Sequence, residues 1–353
     1  MFILYTTEDM LYRICEKASS NSIFDSWYKI IINTKQVALS TNELDTDNPW
    51  IQHLHKIGIA IYTEQEWLDN MVTNYNMVLE EPTAAYMLDI PKSVCDKLLQ
   101  DYGVLCFPVD SNVPAPIFIN RGWHIDTSDP DKEKSWNALL SDLSIPSNSI
   151  IIVDRYLFSS GVGETIEDSF FNLHQILELL LPQTINNGIL DVSLFFDFSS
   201  INFKKDKKPD ATDIDMAYLA KRVNKIKKDI KRTYPFSITL VSVSSNCLNY
   251  DKTHNRRIIS NYYIVRAEHK IKAYNSRNKA LCDQDLSFAY IFSDGLNDKS
   301  TIPEKSKDNT LKALKATLES AQKVENNNLA PEVEIYKNGQ KIPISKYFNV
   351  LLK

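Results

Sequence analysis

Ser149-Ile150-Ile151-Ile152-Val153-Asp154 places four β-branched apolar residues in a row, with no polar alternation. A strand with one face in water alternates apolar and polar side chains, whereas a strand covered on both faces does not. This run therefore reads as an inner strand of a sheet with structure packed on both sides. Beyond it, Thr165-x-x-Asp168 has the form of a helix cap, opening a helix that runs to Leu181. That helix is apolar on more than one side (Phe170, Phe171, Leu173, Ile176, Leu177, Leu180), as a deeply buried helix is. Next come a strand from Leu190 to Phe198, an amphipathic helix from Asp213 to Thr233 and a strand from Ser237 to Ser244. Two strands of a hairpin follow between Arg257 and Tyr274, then a strand from Leu286 to Phe292 and a helix from Asn309 to Val324. Strands alternating with helices predict an α/β fold: a largely parallel sheet flanked by helices, with one antiparallel hairpin.

Towards the N-terminus the same reading predicts a further α/β part. It begins with a strand from Phe2 to Thr6 and a helix from Glu8 to Lys17. A β-type run spans Lys29 to Asn33, and helical stretches anchored by Trp50, Trp67 and Tyr75 lie between 50 and 80. A strand covers Ala84 to Ile90. A helix from Lys92 to Tyr102 follows Pro91 and stops at Gly103, and another strand covers Val104 to Val109. From Pro108 to Asn148 the texture changes, with Pro114, Pro116, Pro130, Pro146 and the charged run 129–134 marking a boundary or a long surface excursion. The expected division is an acidic α/β domain over 1–148 and a second α/β domain with a basic surface over 149–353.

The chain has 353 residues, 43% of them hydrophobic, which excludes a disordered polymer. No apolar run approaches the roughly 18 residues that span a bilayer. Met1-Phe2-Ile3-Leu4-Tyr5 has no basic segment before it and meets Glu8-Asp9 at once, unlike a secretory leader. The expectation is a cytoplasmic protein with no membrane partner. Five cysteines without a C-x-x-C read as reduced, buried thiols, and no metal or cofactor is expected. Eight glycines are too few to suggest a glycine-rich phosphate cradle.

The net charge of −5 conceals a strong asymmetry. Residues 1–150 carry 10 basic and 21 acidic side chains, whereas residues 204–279 carry 19 basic and 7 acidic ones. A basic block inside an acidic chain is the electrostatic footprint of a polyanion-binding surface. On the amphipathic helix, Met216, Leu219, Val223, Ile226 and Ile230 form one stripe, and Lys221, Lys225, Lys228, Lys231 and Arg232 fall opposite. The preceding loop adds Lys204, Lys205, Lys207 and Lys208. The hairpin region adds Arg256, Arg257, Arg266, Lys270, Lys272, Arg277 and Lys279. Of these, Lys204, Lys205, Lys221, Lys225, Lys228, Arg257, Lys272 and Arg277 are the candidate nucleic-acid contacts, for DNA or RNA. The alternative is that the acidic and basic parts satisfy each other across a domain interface, as in a protein–protein scaffold.

Thr253-His254-Asn255-Arg256-Arg257-Ile258-Ile259-Ser260-Asn261 is the densest polar run, and Tyr274-Asn275-Ser276-Arg277-Asn278 closes the region. On an extended chain His254 and Arg256 project the same way. The pattern resembles one half-site of the phospholipase D superfamily, H-x-K-x4-D followed by G-S-x-N, here written H-x-R-x4-N and N-S-R-N. The resemblance implies that His254 attacks phosphorus, that Arg256, Ser276 and Asn278 hold the phosphoryl group, and that Asn261 takes the orienting place. Arg for Lys suits phosphate. Asn for Asp cannot stabilise an imidazolium, and the same exchange in a catalytic triad costs about 10⁴ in rate. With one such histidine in the chain, the half-site is degenerate. Either the domain binds and regulates, acting at most as a weak phosphodiesterase, or a second copy completes a metal-independent nuclease in a homodimer. Orphan nuclease-like domains in chains rich in Asn, Lys and Ile are associated with phage-defence and mobile-element systems, where a further protein partner is expected.

Weaker signals are Gly161-x-Gly163 before a helix, His53-x-His55, and Trp123-His124-Ile125-Asp126. Asp154, Asp191 and Asp197, at the ends of apolar strands, would suit a magnesium nuclease.

Overall fold

The computed structural model describes residues 2–81, 83–110, 121–128, 135–141, 146–159, 164–183, 190–201, 214–243, 256–291, 303–327, 329 and 333–352. These residues form two compact units, one built on the chain up to Asn120 and the other on most of the chain from Arg121 onward. That change of unit falls inside the proline-rich stretch 108–148.

The first unit runs β1 (Leu4–Thr6), α1 (Glu8–Lys17), α2 (Ser22–Thr34), β2 (Gln36–Leu39), α3 (Pro49–Lys56) and β3 (Ala60–Thr63). It continues with α4 (Gln65–Thr73), β4 (Ala85–Leu88), α5 (Lys92–Tyr102) and β5 (Leu105–Pro108). Its five strands are all parallel, in the order β3-β2-β1-β4-β5. On one face Tyr5 stacks on both Trp67 and Tyr86, with ring centroids 4.9 and 5.1 Å apart. Burial, with Glu81 and Glu64 nearby, raises the Tyr5 phenol well above its ordinary range. α5 ends where expected, because Gly103 takes the left-handed conformation at φ +63° that glycine adopts without a Cβ clash.

One element differs from the sequence reading. Lys29 to Asn33 is not a strand but the last turns of α2. Phe24, Trp27, Ile30, Ile31 and Thr34 are buried at helical spacing, and the Asn21 side chain caps the start by accepting from the Ile23 N–H at 2.9 Å. The β-branched run misleads because it is only the end of a longer amphipathic period.

The second unit runs β6 (Arg121–Ile125), α6 (Trp136–Leu140), β7 (Ser149–Val153), α7 (Ile166–Leu180), β8 (Leu190–Phe196), α8 (Met216–Asp229) and β9 (Phe236–Val243). β10 (Arg257–Ser260), β11 (Tyr263–Ala267), β12 (Gln284–Tyr290), α9 (Pro303–Asn326), β13 (Val333–Lys337) and β14 (Gln340–Ile342) follow, the last two residues of β12 and the start of α9 as far as Asp308 being grouped with the first unit. Nine strands pair in the order β14-β13-β9-β8-β7-β10-β11-β12-β6. β7, β8 and β9 are parallel and wholly buried, as the unalternating run requires. β10 lies antiparallel on β7, with Arg257 opposite Val153 and Ser260 opposite Ile150, and makes a hairpin with β11. β13 and β14 extend the other side as an antiparallel pair. The chain is thus α/β, with an all-parallel sheet in one unit and a mixed sheet in the other.

Two layers cover the second sheet. Phe196 meets Phe158, which packs on Phe170 of α7, while Phe195 and Ser193, pointing the opposite way, meet Tyr347 of the C-terminal segment. α7 opens with a complete capping box: Thr165 Oγ1 accepts from the Asp168 N–H, and Asp168 accepts from the Thr165 N–H at 2.8 Å. Arg222 bonds Glu167 and Arg232 bonds Glu178, so α7 and α8 lie side by side and point the same way. Among the described residues no helix is long and apolar enough to cross a membrane.

Candidate nucleic-acid interface

α8 begins at Asp215, whose carboxylate accepts from the Tyr218 N–H at 2.7 Å. It buries Met216, Leu219, Ala220, Val223 and Ile226 against the sheet. Lys221, Lys225 and Lys228 are exposed, and among the described residues none of the three has an ion-pair partner. They recur at i, i+4 and i+7 and so share one face over about 10 Å of helix. The other cations of α8 are committed. The Arg222 guanidinium lies 4.6 Å from the Phe170 ring centroid, and its bond to Glu167 raises its already high pKa. The Lys227 ammonium donates to Asn338 Oδ1 at 2.9 Å. Burial, then Lys337 and Lys228 nearby, lower the Lys227 pKa. Lys337, at 3.5 Å from Asp191, brings a further cation to the end of α8 from a hairpin that sequence periodicity missed.

A second group lies at the C-terminal ends of β7 and β8. Asp154 is fully buried, and its carboxylate accepts from the N–H groups of Ile271 at 2.8 Å and Tyr156 at 2.9 Å. Burial raises its pKa, against the pull of those two N–H groups and of Arg256 and Lys272. Arg256 donates to the Glu268 carbonyl at 2.9 Å, and Arg155 sits 3.5 Å from the buried Asp197 carboxylate. Both guanidinium groups lie against the ring of Tyr156, at 5.3 Å for Arg155 and 5.8 Å for Arg256.

The other sequence-derived candidates fall in several places. His254, Lys204 and Lys205 lie outside the described residues, as do Gly161 and Gly163. Asn261 is buried at the far end of β10 from Arg256, where its side-chain oxygen accepts from the Asn148 N–H at 3.3 Å. Ser276, Arg277 and Asn278 are exposed in a turn held together by Asn275, whose side chain accepts from the N–H groups of Arg277 and Lys279. The turn is fastened to α7, with the Ser276 N–H donating to Asp168 at 3.2 Å and Gln175 donating to Asn278 at 3.4 Å. Asn278 takes a left-handed φ of 56°, which asparagine tolerates better than most residues. Arg256 and Lys272 thus lie near enough to pull the Asp154 pKa down against burial, while Asn261 stands at the other end of β10.

Two basic candidates are drawn inward. Lys272 is 1% exposed, with its ammonium 2.9 Å from Glu164, which also bonds Lys270. Arg257 donates to Thr310, and burial with Arg266 alongside pushes its pKa down to about 10.

The weaker signals have local explanations. His53 shares a hydrogen bond with the Tyr28 hydroxyl at 3.2 Å. His124 bonds Asp285 at 2.8 Å on the surface, and that bond raises its pKa. Asp191 stands at the opposite end of β8 from Asp197 and bonds Ser237, so the three aspartates do not converge. Among the described residues no group of three or more His, Cys, Asp and Glu side chains could hold a metal ion. No family model, curated protein or solved structure matches the chain.

Proposed function

We propose that the second unit binds the phosphate backbone of nucleic acid through the exposed face of α8. The observation that carries this reading is the row of Lys221, Lys225 and Lys228, exposed and without carboxylate partners among the described residues, beside neighbours whose charges are spent internally. Cations with no internal partner can exchange their counterions for phosphates, and that release drives non-specific binding.

The test is salt dependence. Each neutralised phosphate contributes about 0.9 to the slope of log K against log salt, so three lysines account for about 2.7 of it. Binding of a labelled duplex by the full chain is followed between about 50 and 200 mM salt, then repeated with Lys221, Lys225 and Lys228 changed to Ala. The slope is expected to fall by about that amount in the triple variant. A flat slope in the parent, or an unchanged one in the variant, removes the reading.

A further inference from the structure

We infer that Tyr156, with Arg155 and Arg256 against its ring, is a stacking platform for an unpaired nucleobase, so that the ligand of the second unit is single-stranded nucleic acid. The inference rests on the nucleic-acid reading above and adds to it the class of substrate.

Tyr156 sits in the turn that leaves β7, and its own N–H and carbonyl and the carbonyl of Arg155 are hydrogen-bonded. Its N–H donates to Asp154, and its carbonyl accepts from the N–H and hydroxyl of Ser159 at 3.1 and 3.0 Å. The carbonyl of Arg155 accepts from the Ser200 hydroxyl at 2.9 Å and from the Asp197 N–H at 3.2 Å. The next two side chains, Leu157 and Phe158, are buried. A turn so anchored could have pointed a small polar residue outward. It presents an aromatic ring instead, 39% exposed.

The two guanidinium groups reach that ring from different elements, Arg155 from the same turn and Arg256 from the residue before β10. Each is oriented by a second contact, Arg155 by the buried Asp197 and Arg256 by the Glu268 carbonyl. Arg155 is 26% exposed and Arg256 half-buried, so the three groups make one contiguous half-exposed surface. A base can stack on a phenol ring or on a guanidinium plane. Bases in a duplex are stacked on each other, so only an unpaired one can use such a surface.

The experiment titrates the full chain and its Tyr156→Ala and Tyr156→Phe variants against a labelled oligothymidine single strand and a duplex of equal length. Alanine is expected to weaken single-strand binding about tenfold and to leave duplex binding within about twofold, while phenylalanine binds like the parent. An alanine variant that matches the parent on the single strand, or that loses both probes alike, overturns the platform. The salt slope of the duplex reports the lysine footprint separately. A flat slope with the Tyr156 effect intact removes the footprint and leaves the platform, and a steep slope with no Tyr156 effect does the reverse. A parent chain that binds neither probe overturns both.

Discussion

Replacing Glu164 by Gln tests whether Lys272 belongs to the framework or to the proposed binding surface. Glu164 is 8% exposed and lies between Lys270 and Lys272, and the Lys272 ammonium also donates to the Ser159 carbonyl. Burial alone would raise the Glu164 carboxyl, but the two lysines outweigh it and hold its pKa below the ordinary 4.5. Burial lowers the Lys272 pKa, and Glu164 opposes that shift. Gln keeps the shape and a hydrogen-bonding oxygen but removes the charge, leaving a buried ammonium without its carboxylate partner. Breaking a buried pair from one side costs about 3–5 kcal/mol. A carboxylate with a depressed folded pKa stabilises at pH above its unfolded value, near 4.5 here, and loses that contribution as pH falls through the lower folded value. Urea unfolding of the full chain should therefore show the full deficit of Glu164→Gln at neutral pH and a shrinking one in acid. Adding Lys272→Met, which puts an apolar chain where the ammonium was, should recover most of the loss. A Gln variant as stable as the parent at neutral pH would refute the argument. So would a Lys272→Met variant that loses nucleic-acid affinity as Lys221 variants are expected to.

Two further outcomes follow, the first from the sequence resemblance around His254 and the second from the second unit. Any phosphodiesterase activity of the chain is expected to survive EDTA and to vanish in His254→Ala, measured on a chromogenic phosphodiester; cleavage that EDTA abolishes would move the chemistry to carboxylates. Asn172 is buried, and its oxygen accepts from Trp136 Nε1 at 2.8 Å and from the N–H groups of Ala273 and Tyr274 at 3.1 and 3.0 Å. Asn172→Ala leaves those donors unpaired and should cost about 3 kcal/mol or more, read from the urea midpoint; an unchanged midpoint would mean that water replaces the amide.

Elements whose signal is local were legible. The run 150–153, the cap at Thr165 and Asp168, and the stop at Gly103 each depend on residues within a turn or two, and each stands where it was read. β6 and the β13–β14 hairpin were not legible, because short strands towards the ends of a sheet are selected by their partners: β6 by β12, and β13 by β9. In the proposed binding surface, the exposure of Lys221, Lys225 and Lys228 follows from helical period alone. Tyr156 carried no such signal, since the second arginine on its ring, Arg256, is brought there by a distant segment.

By itself, the sequence determined the alternation of strands and helices, the buried middle of the second sheet and the cationic face of α8, because side-chain period sets which residues meet water. The tertiary structure decided which of the other cations leave the surface. Lys272, Arg232 and Arg257 have the same local charge pattern as Lys221. They are drawn inward by Glu164, Glu178 and Thr310, partners that only strand order and helix packing bring within reach.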